Sequence, residues 1–145
     1  MVAPAGTEDE VAGSLRDLAA WYVQQIGSYA RIERVFGQGE GVVFRPLRAG
    51  AAPVGWVDSG DAVTVFAGEY GQLRFPRRAD RVETVRMICD AVITGRVRRV
   101  SGPARTHVSV ELPDGRVARL RAGKGSLKPA LSNRRVRGVA YLPYF

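Results

Sequence analysis

One cysteine, one histidine and two lysines are all that this 145-residue chain holds of three residue types on which catalysis and metal binding often draw. Cys89 alone excludes an internal disulfide and points to a reducing, cytoplasmic compartment. His107 and Cys89 fall on separate predicted elements, and no His-x-x-x-His or Cys-x-x-Cys spacing occurs, so a usual zinc site would need carboxylates in addition. A Gly-x-Ser-x-Gly nucleophile elbow is missing as well. No apolar run approaches the length of a membrane span, and Met1 to Glu10 is acidic, without the basic start of a signal peptide. The expectation is a non-enzymatic protein with no cofactor, no metal and no membrane partner.

What is present is charge, and it is divided unevenly. Residues 1–70 carry five basic and nine acidic side chains, whereas residues 71–145 carry seventeen basic and five acidic. The formal net charge of +8 therefore belongs almost wholly to the second half. A surface of one sign selects partners of the other. Apart from Lys124 and Lys128 every basic residue is arginine, which suits bidentate contacts to carboxylate or phosphate. The same bias also follows from a GC-rich coding sequence, so arginine content alone decides nothing.

At this length the chain reads as a single domain over 1–145, able to bury roughly 70% of its unfolded surface in one core. Residues 1–6 and 122–135 read as flexible. Thr7 as N-cap with Glu10 three residues on forms a capping box. Val11, Leu15, Leu18, Ala19, Tyr22 and Ile26 then recur at helical spacing until Gly27. From Ser28 the period becomes that of short strands, at 29–36, 41–47, 54–58, 62–67 and 72–76. A two-residue turn at Ser59-Gly60 would set Trp56 against Val63 and Val54 against Val65 on one buried face. Pairing Phe66 with Leu73 and Thr64 with Phe75 would load the opposite face with aromatics, so that both faces are partly covered.

A second helix is expected to start at an Asp80–Glu83 capping box and carry Val82, Val85, Ile88, Cys89 and Val92 as its apolar stripe, ending at Gly95. Cys89 on that stripe reads as packing. In Leu112-Pro113-Asp114-Gly115-Arg116 a type I turn with Gly115 in a left-handed bulge position opposes Val110 to Ala118 and Val108 to Leu120. His107, Ser109, Glu111, Arg119 and Arg121 then share the other face. A last strand is expected at 136–142, with Arg135 and Arg137 leading one face, where both also suit protection of a sheet edge. The fold class predicted is α+β: an antiparallel β-meander with an N-terminal helix, a second helix after the fifth strand, and a C-terminal β-hairpin plus edge strand.

Two glycine motifs lack the right context. Gly37-Gln-Gly39-Glu-Gly41 lies between strands, and Gly123-Lys124-Gly125-Ser126 lacks the upstream glycine of a P-loop. Asp58 and Asp61 flank a tight turn, which they support. The one constellation left is cationic. Arg96, Arg98 and Arg99 follow the second helix, and Arg105, Arg116, Arg119 and Arg121 belong to the hairpin region. Lys124, Lys128, Arg134, Arg135 and Arg137 come next, with Tyr141, Tyr144 and Phe145 close behind. This set predicts either an acidic protein partner or, through arginines interleaved with aromatics, nucleic acid. Sequence leaves the oligomeric state open.

The run Trp56-Val57-Asp58 to Arg74-Phe75-Pro76, leading into Val92-Ile93-Thr94-Gly95-Arg96-Val97 and closing on Tyr141-Leu142-Pro143-Tyr144, resembles small bacterial α+β proteins. Some of these are similar to immunity proteins of polymorphic toxin systems. The resemblance, over about residues 7–120, implies non-enzymatic binding of a partner protein. Proteins that neutralise nuclease toxins are typically acidic; this chain is basic, so the resemblance implies an acidic partner here.

Overall fold

The computed structural model describes residues 7–37, 39–69, 71–101, 106–122 and 137–145. Helix α1 (Thr7–Ile26) leads into a meander of β1 (Ala30–Val35), β2 (Glu40–Pro46), β3 (Val54–Asp58), β4 (Ala62–Ala67) and β5 (Gly71–Pro76). Helix α2 (Ala79–Ile93) precedes β6 (Val97–Ser101), β7 (Thr106–Glu111), β8 (Val117–Ala122) and β9 (Arg137–Ala140). All nine strands form one antiparallel sheet in the order β1-β2-β3-β4-β5-β8-β7-β6-β9. The α+β class, both helices, the hairpin and the last strand follow the sequence expectation. The flexible reading of 1–6 and 123–135 lies outside the described residues, and Ala122 belongs to β8.

Both helices cover the same face. From α1, Val11, Leu15, Ala19, Tyr22 and Ile26 join the buried cluster with Val42, Phe44, Val54, Trp56, Val63, Val65, Val108 and Leu120 of the sheet. The apolar stripe of α2, Val85, Ile88, Cys89 and Val92, enters the same cluster. Helix α2 touches the neighbouring strands β3 and β4 and also β7, three places beyond β4 in the sheet. Tyr22 ties the helices together, donating its hydroxyl to Asp90 Oδ1 at 2.6 Å. Gly41 and Gly55 let β2 and β3 approach closely: a Cβ on either would strike a carbonyl oxygen of the facing strand.

Several local expectations shift. The Thr7 cap lies outside the described side chains. Helix α2 starts one residue before Asp80, on Arg78 as N-cap, and Asp80 pairs with Arg78 at 2.7 Å instead of closing a capping box. Its carboxylate still faces the positive end of the helix dipole. The C-terminus behaves as expected: Gly95 at φ 81° places its N–H on Val92 O, and Arg96 N–H reaches Ala91 O, a Schellman motif.

The β3–β4 turn is centred on Gly60-Asp61, with Ser59 N–H bonded to Ala62 O, so Trp56 opposes Val65 and Asp58 opposes Val63. This is two positions from the expected register, which keeps the apolar set on the helix side. The β4–β5 register differs by one, pairing Val63 with Phe75 and Val65 with Leu73. Phe75 therefore joins the core, and the outer face is not loaded with aromatics as expected. The hairpin holds its expected register, Val110 with Ala118 and Val108 with Leu120, with Gly115 at φ 86°. Strand β6 was not anticipated; it lies between β7 and β9.

Candidate partner-binding surface

With both helices on one face, the outer face of the sheet is left to whatever its strands project there. Strand alternation decides the content. On β8, Val108 and Val110 of β7 oppose Leu120 and Ala118 on the core side, so Arg119 and Arg121 project outward. Arg119 opposes Ser109, which in turn opposes Arg98 of β6, making one row across three strands. Arg121 opposes His107 on one side and Gln72 of β5 on the other, making the next row. Arg74 follows Gln72 on the same face of β5.

Rows on neighbouring strands lie about 5 Å apart and alternate residues about 7 Å apart, so these long side chains share one field. Arg98, Arg119 and Arg121 are exposed and none has an ion pair among the described residues. The other arginines divide: Arg31, Arg34, Arg48 and Arg81 likewise have no ion pair among the described residues. Arg16, Arg45, Arg77, Arg78, Arg86 and Arg116 each face a carboxylate, and Arg74 meets Asp61 at 3.2 Å. What sets the outer face of β6–β7–β8 apart is that its unpaired arginines stand in adjacent rows.

His107 reports that field. Partial burial, then the charges of Arg119 and Arg121, push its imidazole below the ordinary value, so it is neutral at pH 7. Among the described residues it has no hydrogen bond or ion pair to a carboxylate of the kind that orients a catalytic base. Cys89 is buried, and burial pushes its thiol upward, away from thiolate chemistry.

The remaining predicted residues divide. Arg96 is exposed just before β6, and its carbonyl accepts the Glu111 N–H at 3.0 Å, so it stands at the end of the same ladder. Arg99 falls on the helix side of β6, opposite Val108, with its Nε buried and without a hydrogen-bond partner among the described residues; it is not part of the surface. Arg137 pairs in β9 with Ser101. Tyr141 is half-buried beside Gly68. Tyr144 is 2% exposed and cannot meet a partner: its ring fills the core. Arg105, Lys124, Lys128, Arg134 and Arg135 lie outside the described residues.

Arg74 joins the surface without having been anticipated. Its place depends on β5 pairing with β8, a contact between segments about fifty residues apart that no local pattern announces. No described helix is long and apolar enough to cross a membrane. In comparisons with family models, curated proteins and solved structures the chain finds no match, so the surface is read from its own geometry.

Proposed function

We propose that this chain is a non-enzymatic binding module that docks an acidic protein on the outer face of β6, β7 and β8. One observation carries the reading: Arg98, Arg119 and Arg121 share that face and lack carboxylate partners among the described residues. Guanidinium groups of this kind form bidentate contacts with carboxylates and speed encounter with an acidic surface. Nucleic acid would meet the same charges. The base-stacking part of that alternative is weakened because Tyr144 is buried and β6, β7 and β8 carry no Phe, Tyr or Trp, leaving His107 as the one ring beside these arginines. An immunity-like role in a bacterial cytoplasm is the form of binding that the sequence resemblance implies.

The test uses the chain and its Arg98→Glu/Arg119→Glu/Arg121→Glu variant as baits, each shown by circular dichroism to be folded. The expected result is a protein of fixed stoichiometry that survives nuclease treatment, is acidic, and is lost with the variant. Retained material that disappears with nuclease, and affinity for unrelated DNA or RNA that falls steeply with salt, would replace this reading with nucleic-acid binding.

A further inference from the structure

Away from the basic face, a cleft of about 650 Å³ opens between α1 and the helix-side ends of β1, β2 and β3. Its volume lies within the range of small-molecule sites. The floor is apolar, made by Leu15, Ala19, Val42 and Trp56. Charged groups enter from α1, β1, β2, β3 and the connection after β5, and their pairing decides what the cleft can take.

Arg16 of α1 grips Glu40 of β2 through two bonds, of 2.7 and 2.8 Å. Arg77, beyond β5, grips Asp58 of β3 through two more, of 2.8 and 2.9 Å. Both carboxylates are held below their ordinary range. For Glu40 the hydrogen bond from Arg16 is the main cause; for Asp58 burial opposes the shift, but the bonds from Arg77 and the Gly60 N–H together outweigh it. Each acid is therefore ionised and already engaged by a guanidinium.

Arg34 is the fifth charge on the cleft wall, and it has no ion pair or hydrogen bond among the described residues. It sits on β1 opposite Val42, on the helix side of the sheet. Three guanidiniums against two carboxylates leave the cleft one positive charge in excess. Trp56, 2% exposed, closes the apolar floor. At the margin stands Phe36, 76% exposed, a large apolar ring left in water beside an apolar hollow.

We propose that this cleft binds a small organic monoanion with an apolar body, its carboxylate taken by Arg34 and its body lying between Phe36 and the floor over Trp56. The excess of one charge fits one carboxylate, and a planar guanidinium can hold it through two bonds. A dianionic phosphate without an apolar part would leave the hydrophobic floor uncovered. None of these residues belongs to the outer basic face, so the site stands or falls independently of the partner-binding reading.

The experiment titrates the whole chain with 3-phenylpropionate, with its neutral amide 3-phenylpropionamide, and with inorganic phosphate, following backbone amide signals and Trp fluorescence. The acid should saturate at millimolar concentration or below and shift the amides of Arg34, Phe36 and Gly41. The amide and phosphate should each bind about tenfold or more weakly. Arg34→Gln should weaken the acid by about tenfold, and Arg34→Lys by less, because lysine keeps the charge without the planar fork. Arg34 is exposed, so these variants retain the fold, which the spectrum itself verifies. Equal binding of acid and amide, indifference to Arg34→Gln, or no saturable shift would each overturn the proposal.

Discussion

The hydroxyl of Tyr144 donates to the carbonyl oxygen of Ala52 at 2.7 Å, with the Phe44 carbonyl also in reach at 3.1 Å. Residues close to a hundred positions apart are thereby joined inside the core. Around this bond, Leu142 N–H reaches Gly50 O and Tyr144 N–H reaches Ile93 O, so the segment after β9 closes over the end of α2 and returns to the β2–β3 connection.

Tyr144 is therefore expected to matter for stability and not for partner contact. Tyr144→Phe removes the hydroxyl alone and should cost about 1 kcal/mol, the usual net worth of one hydrogen bond. Tyr144→Ala also empties the ring's place and should cost about 3–5 kcal/mol. Urea unfolding measures both. Partner affinity that fell with Tyr144→Phe while stability stayed unchanged would return this residue to the surface.

That tyrosine illustrates where the sequence was legible. The apolar stripes of both helices and the Leu112–Arg116 turn are local patterns, and each appears in the structure as read. Turn position is less well specified. Moving the β3–β4 turn from Ser59-Gly60 to Gly60-Asp61 displaced the register by two and preserved the buried face, whereas a shift of one between β4 and β5 carried Phe75 to the other side. Strand β6 was hidden because Val97-Arg98-Arg99-Val100 places its valines three apart, on opposite faces of the strand, so it shows no alternation. A final Tyr-x-x-Tyr close to arginines looks the same in sequence whether its rings lie inside or outside. The cleft charges Arg16, Arg34 and Arg77 come from separate elements and meet only after folding.

The Arg77–Asp58 pair on the cleft wall is nearly buried, at 10% and 11% side-chain exposure. Removing one member leaves the other charge desolvated, so Asp58→Asn should cost about 3 kcal/mol near neutral pH. The pH dependence has a definite sign. Because the folded value of Asp58 is depressed, its contribution is complete above the ordinary carboxylate range and is lost as pH falls through the folded value. Denaturant unfolding of both proteins between about pH 6 and pH 2 should show a stability gap that narrows toward the acid end. A gap that stayed constant across that range would mean that Asp58 is not ionised by its pairing with Arg77.

His107 offers the most direct measurement of the outer face, because it is the only histidine and its ring signals need no separation from others. Burial and the charges of Arg119 and Arg121 hold it below its ordinary value. The Arg119→Gln/Arg121→Gln variant removes both charges and leaves the burial, so an NMR titration should find the imidazole shifted upward, though not fully restored. Stability follows with a known sign. As pH falls through about 6.5 the unfolded chain takes up the proton first, so the stability that His107 contributes at higher pH is lost down to the folded value and then levels off. That loss should shrink in the variant. If the ring titrates identically in both proteins, Arg119 and Arg121 do not converge on it, and the single positive field on which partner binding rests is absent.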